Sequence, residues 1–317
     1  MKLVFCGTPE FAVPTLNALI VSGHQIALVV TQPDRAADRG LQLQASAVKR
    51  FATDHGLSIL QPERIKRNEE FRAHLQAIQP DAIIVVAYGR IIPDWMLCLP
   101  RLGNINLHGS LLPQYRGAAP VQWAIANGET IAGVTTMRLD AGLDTGDMLL
   151  ARAIPVGDEM GAAEVFDVLA DVGARLMVET LEGLEAGTIL PVAQDHSLAT
   201  SAPILTRQDG LVDFSRHAKV IYNRWRAFYP WPGAHTLFRG KKLILHGVRA
   251  VPFEALSEGA ESTREGELVV DGEALVVVCG ALTVLRIDEV QVEGKRRMEA
   301  ADFVRGYQVR TGERLGV

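Results

Sequence analysis

Seven consecutive residues constrain this chain most: Asp81-Ala-Ile-Ile-Val-Val-Ala87, an apolar run without the alternation of a half-exposed strand. A short run of this kind is buried on both faces, as the central strands of parallel sheets are, and needs helices above and below it. The neighbouring sequence supplies them. Lys2 to Cys6 reads as a first buried strand, and Gly7-Thr-Pro-Glu-Phe11 as a tight turn with Pro9 near the start of a helix reaching about Ser22. Gln25 to Thr31 reads as a second strand, so strand and helix alternate. The expectation is an α/β, Rossmann-like domain with a mainly parallel sheet.

A dinucleotide is not expected on this sheet. Only Gly7 stands where three glycines would bring backbone close to a pyrophosphate, so no NAD is implied. Nor is a metal, because no second histidine lies near His108 and the three cysteines, Cys6, Cys98 and Cys279, match no zinc spacing. All three are read as small buried hydrophobes. The apolar start, Met1 to Cys6, ends at Gly7 and is too short for a signal-peptide core, and no run of about 18 apolar residues spans a membrane. A cytoplasmic protein without membrane contact is expected.

With 317 residues, 48% of them hydrophobic, two domains are expected. Val165, Val168, Leu169, Val172 and Leu176 sit at helical spacing and predict a long packing helix to about Leu184. The Gly- and Pro-containing stretch from Ala186 to Thr206 reads as a linker, leaving 1–185 as the first domain and 207–317 as the second. After a helix through Ala218 to Arg226, short strands follow at Lys242–Val248, Glu267–Val270, Ala274–Cys279 and Leu282–Ile287, with Asp271-Gly272 as a hairpin turn. This pattern predicts a small, OB-like β-barrel. Charge divides the same way. Residues 1–206 hold 15 Lys and Arg against 22 Asp and Glu, whereas 207–317 hold 17 against 15, a balance that permits a polyanionic partner without requiring one.

The chemistry is concentrated in Asn104-Ile-Asn-Leu-His-Gly-Ser-Leu-Leu-Pro113 and in Ala141-Gly-Leu-Asp-Thr-Gly-Asp147. Asn106 and His108 alternate at a strand's end, so their side chains leave one face together at the carboxyl edge of the sheet, where open α/β sheets place ligands. A neighbouring carboxylate favours a charged imidazolium, and Asp144, in a Gly-rich loop, is the candidate partner. An amide and an imidazolium side by side can stabilise the oxyanion formed when a nucleophile adds to a carbonyl, and Asp and His can move the proton an attacking amine releases. Spacing alone equally allows Asn106 and Asp144 to bond backbone in turns and His108 to be a satisfied core histidine.

Asn106-x-His108-x-Ser-Leu-Leu-Pro113, Tyr115-Arg-Gly117 and Gly142-Leu-Asp-Thr-Gly146 together resemble the formyltransferases that use 10-formyltetrahydrofolate. Gly7-Thr-Pro-Glu-Phe11, Thr31-Gln-Pro-Asp-Arg35, Arg116-Gly-Ala-Ala-Pro120 and Arg226-Ala-Phe-Tyr-Pro-Trp-Pro232 are similar to the branch of that family that formylates methionyl-tRNA, and the likeness runs to about residue 310. The resemblance implies Asn106, His108 and Asp144 as the catalytic trio. It implies Ser110, Leu111, Leu112 and Pro113 as a folate-binding turn, with the backbone of Gly89, Arg90, Ile91 and Ile92 receiving the pterin. It also implies initiator methionyl-tRNA as acceptor, a loop from Gln32 to Gln44 reaching the acceptor stem through Arg35 and above all Arg39, and backbone contacts from the C-terminal domain, where Lys241 and Lys242 are candidates. A monomer is expected. Two other readings compete: the same transfer to a small amine, such as a glycinamide ribonucleotide or an amino-sugar nucleotide, and an RNA-binding protein without activity.

Overall fold

The structure, a computed structural model, describes residues 1–37, 42–252 and 264–316. Arg39 lies outside the described residues. The chain forms two compact units, the first comprising Met1–Pro120, Ile131–Pro155 and Ala163–Pro203, and the second Val121–Thr130, Val156–Ala162 and Ile204–Val317.

Through residue 108 the chain forms β1 (Lys2–Gly7), α1 (Val13–Val21), β2 (Gln25–Val30), β3 (Arg35–Ala37), β4 (Gln42–Gln44), α2 (Ala47–Asp54), β5 (Ile59–Leu60), α3 (Glu69–Ile78), β6 (Ala82–Val86), α4 (Asp94–Leu97) and β7 (Asn104–His108). After these come α5 (Pro120–Ala126), β8 (Ile131–Arg138), β9 (Met148–Pro155) and α6 (Ala162–Ala186). One seven-stranded sheet has the order β5-β2-β1-β6-β7-β8-β9. Strands β5 to β7 are parallel, and β8 and β9 are antiparallel to their neighbours, as expected of a mainly parallel sheet.

The apolar run within Asp81–Ala87 forms β6, and all five residues of that strand are buried between β1 and β7. Helix starts follow local polar chemistry. Ser46 Oγ accepts from Lys49 N at 3.1 Å before α2, and Asn68 Oδ1 from Phe71 N at 3.0 Å before α3, each satisfying an amide that the helix leaves unpaired. Core side chains such as Phe5, Leu16, Ile84 and Leu107 are fully or nearly fully buried, each worth about 1.5–3 kcal/mol against exposure.

Register then fixes where ligands can meet the sheet. Val85 of β6 pairs with Asn106 of β7, so the segment after β6, Ala87 to Ile92, and the turn after His108 leave the same edge. The other edge is closed on itself. Lys2 N donates to Asp81 Oδ2 at 2.7 Å, Asp81 N returns a bond to Lys2 O at 2.8 Å, and Arg101 Nε reaches Asp81 Oδ1 at 2.7 Å. These bonds, the Lys2 amide foremost, hold the Asp81 carboxyl below the usual carboxylate range.

The second unit contains α7 (Ala218–Phe228), β10 (Ala234–Phe238), β11 (Lys241–Val251), β12 (Leu268–Asp271), β13 (Ala274–Cys279), β14 (Thr283–Val292), β15 (Met298–Glu299) and α8 (Ala300–Tyr307). Its strands form an antiparallel sheet of order β10-β11-β14-β13-β12, with β15 paired to β14, around a core that includes Phe214, Leu243, Leu285 and Phe303. The expected C-terminal β domain is present in this coarser form. Its short α8 carries Phe303 into the core, a helix the strand-rich pattern did not suggest. Within the same unit, Trp123 of α5 meets Phe228 edge to face, with ring centroids 5.4 Å apart. Arg226, 4% exposed, donates to Asn223 Oδ1 at 3.0 Å, Gly157 O at 2.9 Å and Met160 O at 2.7 Å.

One expectation about cysteine fails. Cys6 and Cys279 are buried, and burial pushes both thiols up, Cys279 to about 12. Cys98 is exposed, because it caps the four-residue α4, whose Met96 takes the inward position instead.

Candidate active site

Three polar residues of β7 share one face but not one fate. Asn104 is committed to structure, its Nδ2 donating to Met96 O at 2.9 Å and Leu97 O at 3.1 Å. Asn106, two residues on, is 9% exposed and its amide makes no hydrogen bond among the described residues. An uncommitted amide on a buried residue is the exception among side-chain polar groups and leaves its donor and acceptor available. His108, 5% exposed, puts Nε2 2.9 Å from Tyr115 O, and since a carbonyl only accepts, Nε2 carries the proton of that bond.

Nδ1 of His108 faces Asp144 Oδ2 at 3.7 Å, within ion-pair range though longer than a hydrogen bond. Both ring nitrogens thus face groups that only accept, an environment that a doubly protonated ring satisfies. Asp144 itself is fixed by Gly117 N, which donates to the same Oδ2 at 2.9 Å.

The loop that presents Asp144 is tight for identifiable reasons. Asp140 Oδ1 accepts from Gly142 N at 3.0 Å and from Thr145 Oγ1 at 2.7 Å, which closes the loop on its own side chains. Gly142 is needed because a Cβ there would overlap Thr145 Oγ1, and Gly146 because a Cβ would overlap the carbonyl of Arg138. Asp144 adopts φ 51°, a left-handed conformation uncommon outside glycine that aspartate tolerates better than most residues.

The turn after β7 closes in the same self-bonded way. Ser110 Oγ donates to Gln114 O at 2.6 Å, while Thr135 of β8 donates to Ser110 O at 2.7 Å and accepts from Leu112 N at 3.1 Å. Leu112–Pro113 is a cis peptide. Leu111 lies over Gly133, where a Cβ would collide with it. Across the same sheet edge, Gly89 has φ 76°, and Gln32 Nε2 bonds Tyr88 O at 2.8 Å. Arg35 donates to Gln32 Oε1 at 2.8 Å, so it buttresses this segment from the side. Arg90 Nη1 bonds Glu63 O at 2.5 Å, Ile92 is buried and Ile91 is 89% exposed. The main-chain groups of Arg90, Ile91 and Ile92 bond no other backbone among the described residues.

The geometry therefore brings Asn106, His108 and Asp144 together, with Ser110–Pro113 and Gly89–Ile92 at the same edge. Lys241 and Lys242 begin β11 in the second unit. A cleft of ≈ 830 Å³ is lined by Ala87, which follows β6, and Ala118, and is walled by Phe11, Phe51 and Phe166 with Asp167 and Asp171 also lining it. Among the described residues no group of three His, Cys, Asp or Glu side chains is placed to hold a metal ion. No helix among them is long and apolar enough to cross a membrane.

Comparison with known proteins adds the lineage. Residues 1–181 match the family described as formyl transferase, and residues 204–308 match the formyl transferase C-terminal domain. The chain belongs to the formyl transferase family. Within the family it is 59% identical over 316 residues to the methionyl-tRNA formyltransferase of Acidobacterium capsulatum, covering 100% of both chains. It is 55% identical to the enzyme of the same name from Koribacter versatilis, covering 100% of this chain and 99% of that one. In fold it is similar to an N-formyltransferase from Helicobacter canadensis solved with folinic acid and dTDP-3-aminofucose, at TM-score 0.64 and 17% identity, over 90% of this chain and 98% of that one.

Proposed function

We propose that the chain transfers the formyl group of 10-formyltetrahydrofolate to the amino group of methionyl-tRNA, with the initiator species as acceptor, acting as a cytoplasmic monomer. The observation that carries this reading is the uncommitted Asn106 amide beside a His108 whose Nδ1 faces Asp144. Full-length relatives named for this activity support it.

In the transfer, Asn106 Nδ2 and His108 Nδ1–H donate to the formyl oxygen as the amine adds and negative charge builds there. The Tyr115 carbonyl on Nε2 keeps the ring turned so that Nδ1 serves this purpose. Asp144 balances the charge of the imidazolium and takes up the proton that the amine loses, and the same pair returns a proton to the departing nitrogen. No serine or cysteine nucleophile takes part.

The formyl-folate supplies an activated one-carbon acyl group, and this chain has the groups to hold it. The main-chain groups of Arg90 to Ile92, which bond no other backbone among the described residues, suit the amide-like edge of a pterin, and Ser110 to Pro113 form a turn at the same sheet edge. The Phe11, Phe51 and Phe166 walls of the cleft suit a methionyl thioether, a soft group that gains from aromatic contact. Residues 1–185 carry the transfer, 186–206 join the domains, and 207–317 add contacts to the acceptor arm through groups such as Lys241 and Lys242. Arg39, together with Arg35, reads the end of the acceptor stem.

Incubation with 10-formyltetrahydrofolate and charged initiator methionyl-tRNA should yield N-formylmethionine, and a glycinamide ribonucleotide control should stay unformylated. Formylation of the control alone would move the chain to the small-acceptor reading. Arg39→Ala should raise KM for tRNA about tenfold or more and leave that for folate unchanged.

A further inference from the structure

The segment between the stretches that match the two family domains, residues 182–203, contains a strap that bonds Asp144 directly and reaches His108 through Tyr115. It starts at Val192, whose N and O exchange bonds of 2.9 Å with Met148 at the start of β9. Two residues later, Gln194 is 6% exposed and uses its whole amide. Its Nε2 donates to Asp144 O at 2.9 Å and to Gly146 O at 2.7 Å, and its Oε1 accepts from Arg116 Nε at 3.1 Å and Nη2 at 2.7 Å. Further on, Thr200 Oγ1 accepts from Tyr115 N at 2.8 Å, Thr200 O accepts from Arg116 N at 2.8 Å, and Ala202 N donates to Arg116 O at 2.7 Å. Gly117 lies so close beneath the strap that a Cβ there would overlap the Ala202 carbonyl.

Each anchor leads to one half of the reacting pair. Thr200 fixes Tyr115, which sits at φ 58° and whose carbonyl orients the His108 ring. Gln194 fixes the backbone of Asp144 at φ 51° on one side and of Gly146 on the other. Only a neutral amide of this length can donate twice to carbonyls while accepting from a guanidinium, because a carboxylate has no donor and an ammonium no acceptor.

We propose that Gln194, seconded by Thr200, is a positioning residue for formyl transfer: the strap sets the distance and angle between His108 and Asp144 without touching either substrate. The inference rests on the reading of this site as the transfer site. Placement errors of about 1 Å cost roughly 10²-fold in rate, which is the scale at which such a residue is felt.

The test uses the full-length protein with charged methionyl-tRNA and 10-formyltetrahydrofolate, comparing wild type, Gln194→Glu and Thr200→Val. Gln194→Glu keeps the acceptor for Arg116, and so keeps that cross-link, but loses both donors to the Asp144 loop. It should lower kcat by about 10- to 100-fold with KM for both substrates within about threefold, and should displace the acid limb of the kcat–pH profile, since the charge pair is reset. Thr200→Val, nearly the same shape, should lower kcat about tenfold, also without a change in KM. Thermal midpoints measured alongside separate these losses from unfolding. Gln194→Glu within about twofold of wild type, or a loss confined to KM with an unmoved pH profile, overturns the proposal. A wild-type protein that formylates no acceptor overturns the underlying reading instead.

Discussion

Strand β7 and the loop from Asp140 to Asp147 supply the two halves of the proposed reacting centre, but they hold their side chains by different means. β7 is laddered to β6 on one side and β8 on the other, and all five of its residues are buried. Asn106 and His108 therefore inherit their direction from the sheet. The loop has no ladder to rely on. It keeps Asp144 in place through Asp140 and Thr145, through two glycines pressed against neighbouring atoms, and through the amide of Gln194. A strand positions by repetition, whereas a loop must assemble its own local scaffold, so the loop half has more ways to be disturbed.

Substitutions can sharpen or break this contrast. The largest effect should come from His108→Ala on the strand, which removes a donor and the proton carrier together and should lower kcat by roughly 10³- to 10⁴-fold while tRNA binding holds. Equal activity in this variant would remove the mechanism. Asp144→Asn should cost about 10²-fold, because the amide still accepts from Gly117 N but no longer balances an imidazolium. A loss as large as that of His108→Ala would show the two halves acting as a single unit.

Gly146→Ala disturbs only the loop's scaffold. The added methyl must displace the Arg138 carbonyl, so kcat should fall about tenfold or more and the thermal midpoint should drop, whereas unchanged values would mean the loop is looser than the strand comparison implies. The smallest effect belongs to the opposite edge of the sheet. Because the Asp81 carboxyl is held below its unfolded value, it contributes stability that is present above about pH 4 and is lost as pH falls through the folded value. Asp81→Asn should flatten the acid side of a urea-midpoint profile and leave kcat at neutral pH unaltered.

The same contrast explains what could be read from residues alone. The continuous apolar run at β6 and the alternation of Asn106 and His108 are backbone periodicities, and periodicity survives in sequence. The Gly142-Leu-Asp-Thr-Gly146 run was legible as a tight loop because only glycine fits two of its positions. Thr135 was hidden, since its hydroxyl reaches the Ser110 turn only through the β7–β8 register. Gln194 was hidden more deeply. It lies 50 residues from Asp144 in a stretch without helical or strand rhythm, so nothing local marks the amide that ties the loop down. Cys98 misled for the opposite reason, because a four-residue helix is too short to display which side faces inward.

Arg226 has a practical consequence for dissecting the protein into pieces. A polypeptide made from Ile204 onward would keep Asn223 but lose Gly157 and Met160, two of the three oxygens around a cation that burial already disfavours. Each forfeited bond to such a group is worth about 1.5–3 kcal/mol, a large share of the margin that keeps a small domain folded. Studies of acceptor binding by the C-terminal half alone should therefore restore residues 156–162, or risk attributing to weak affinity what is really a failure to fold.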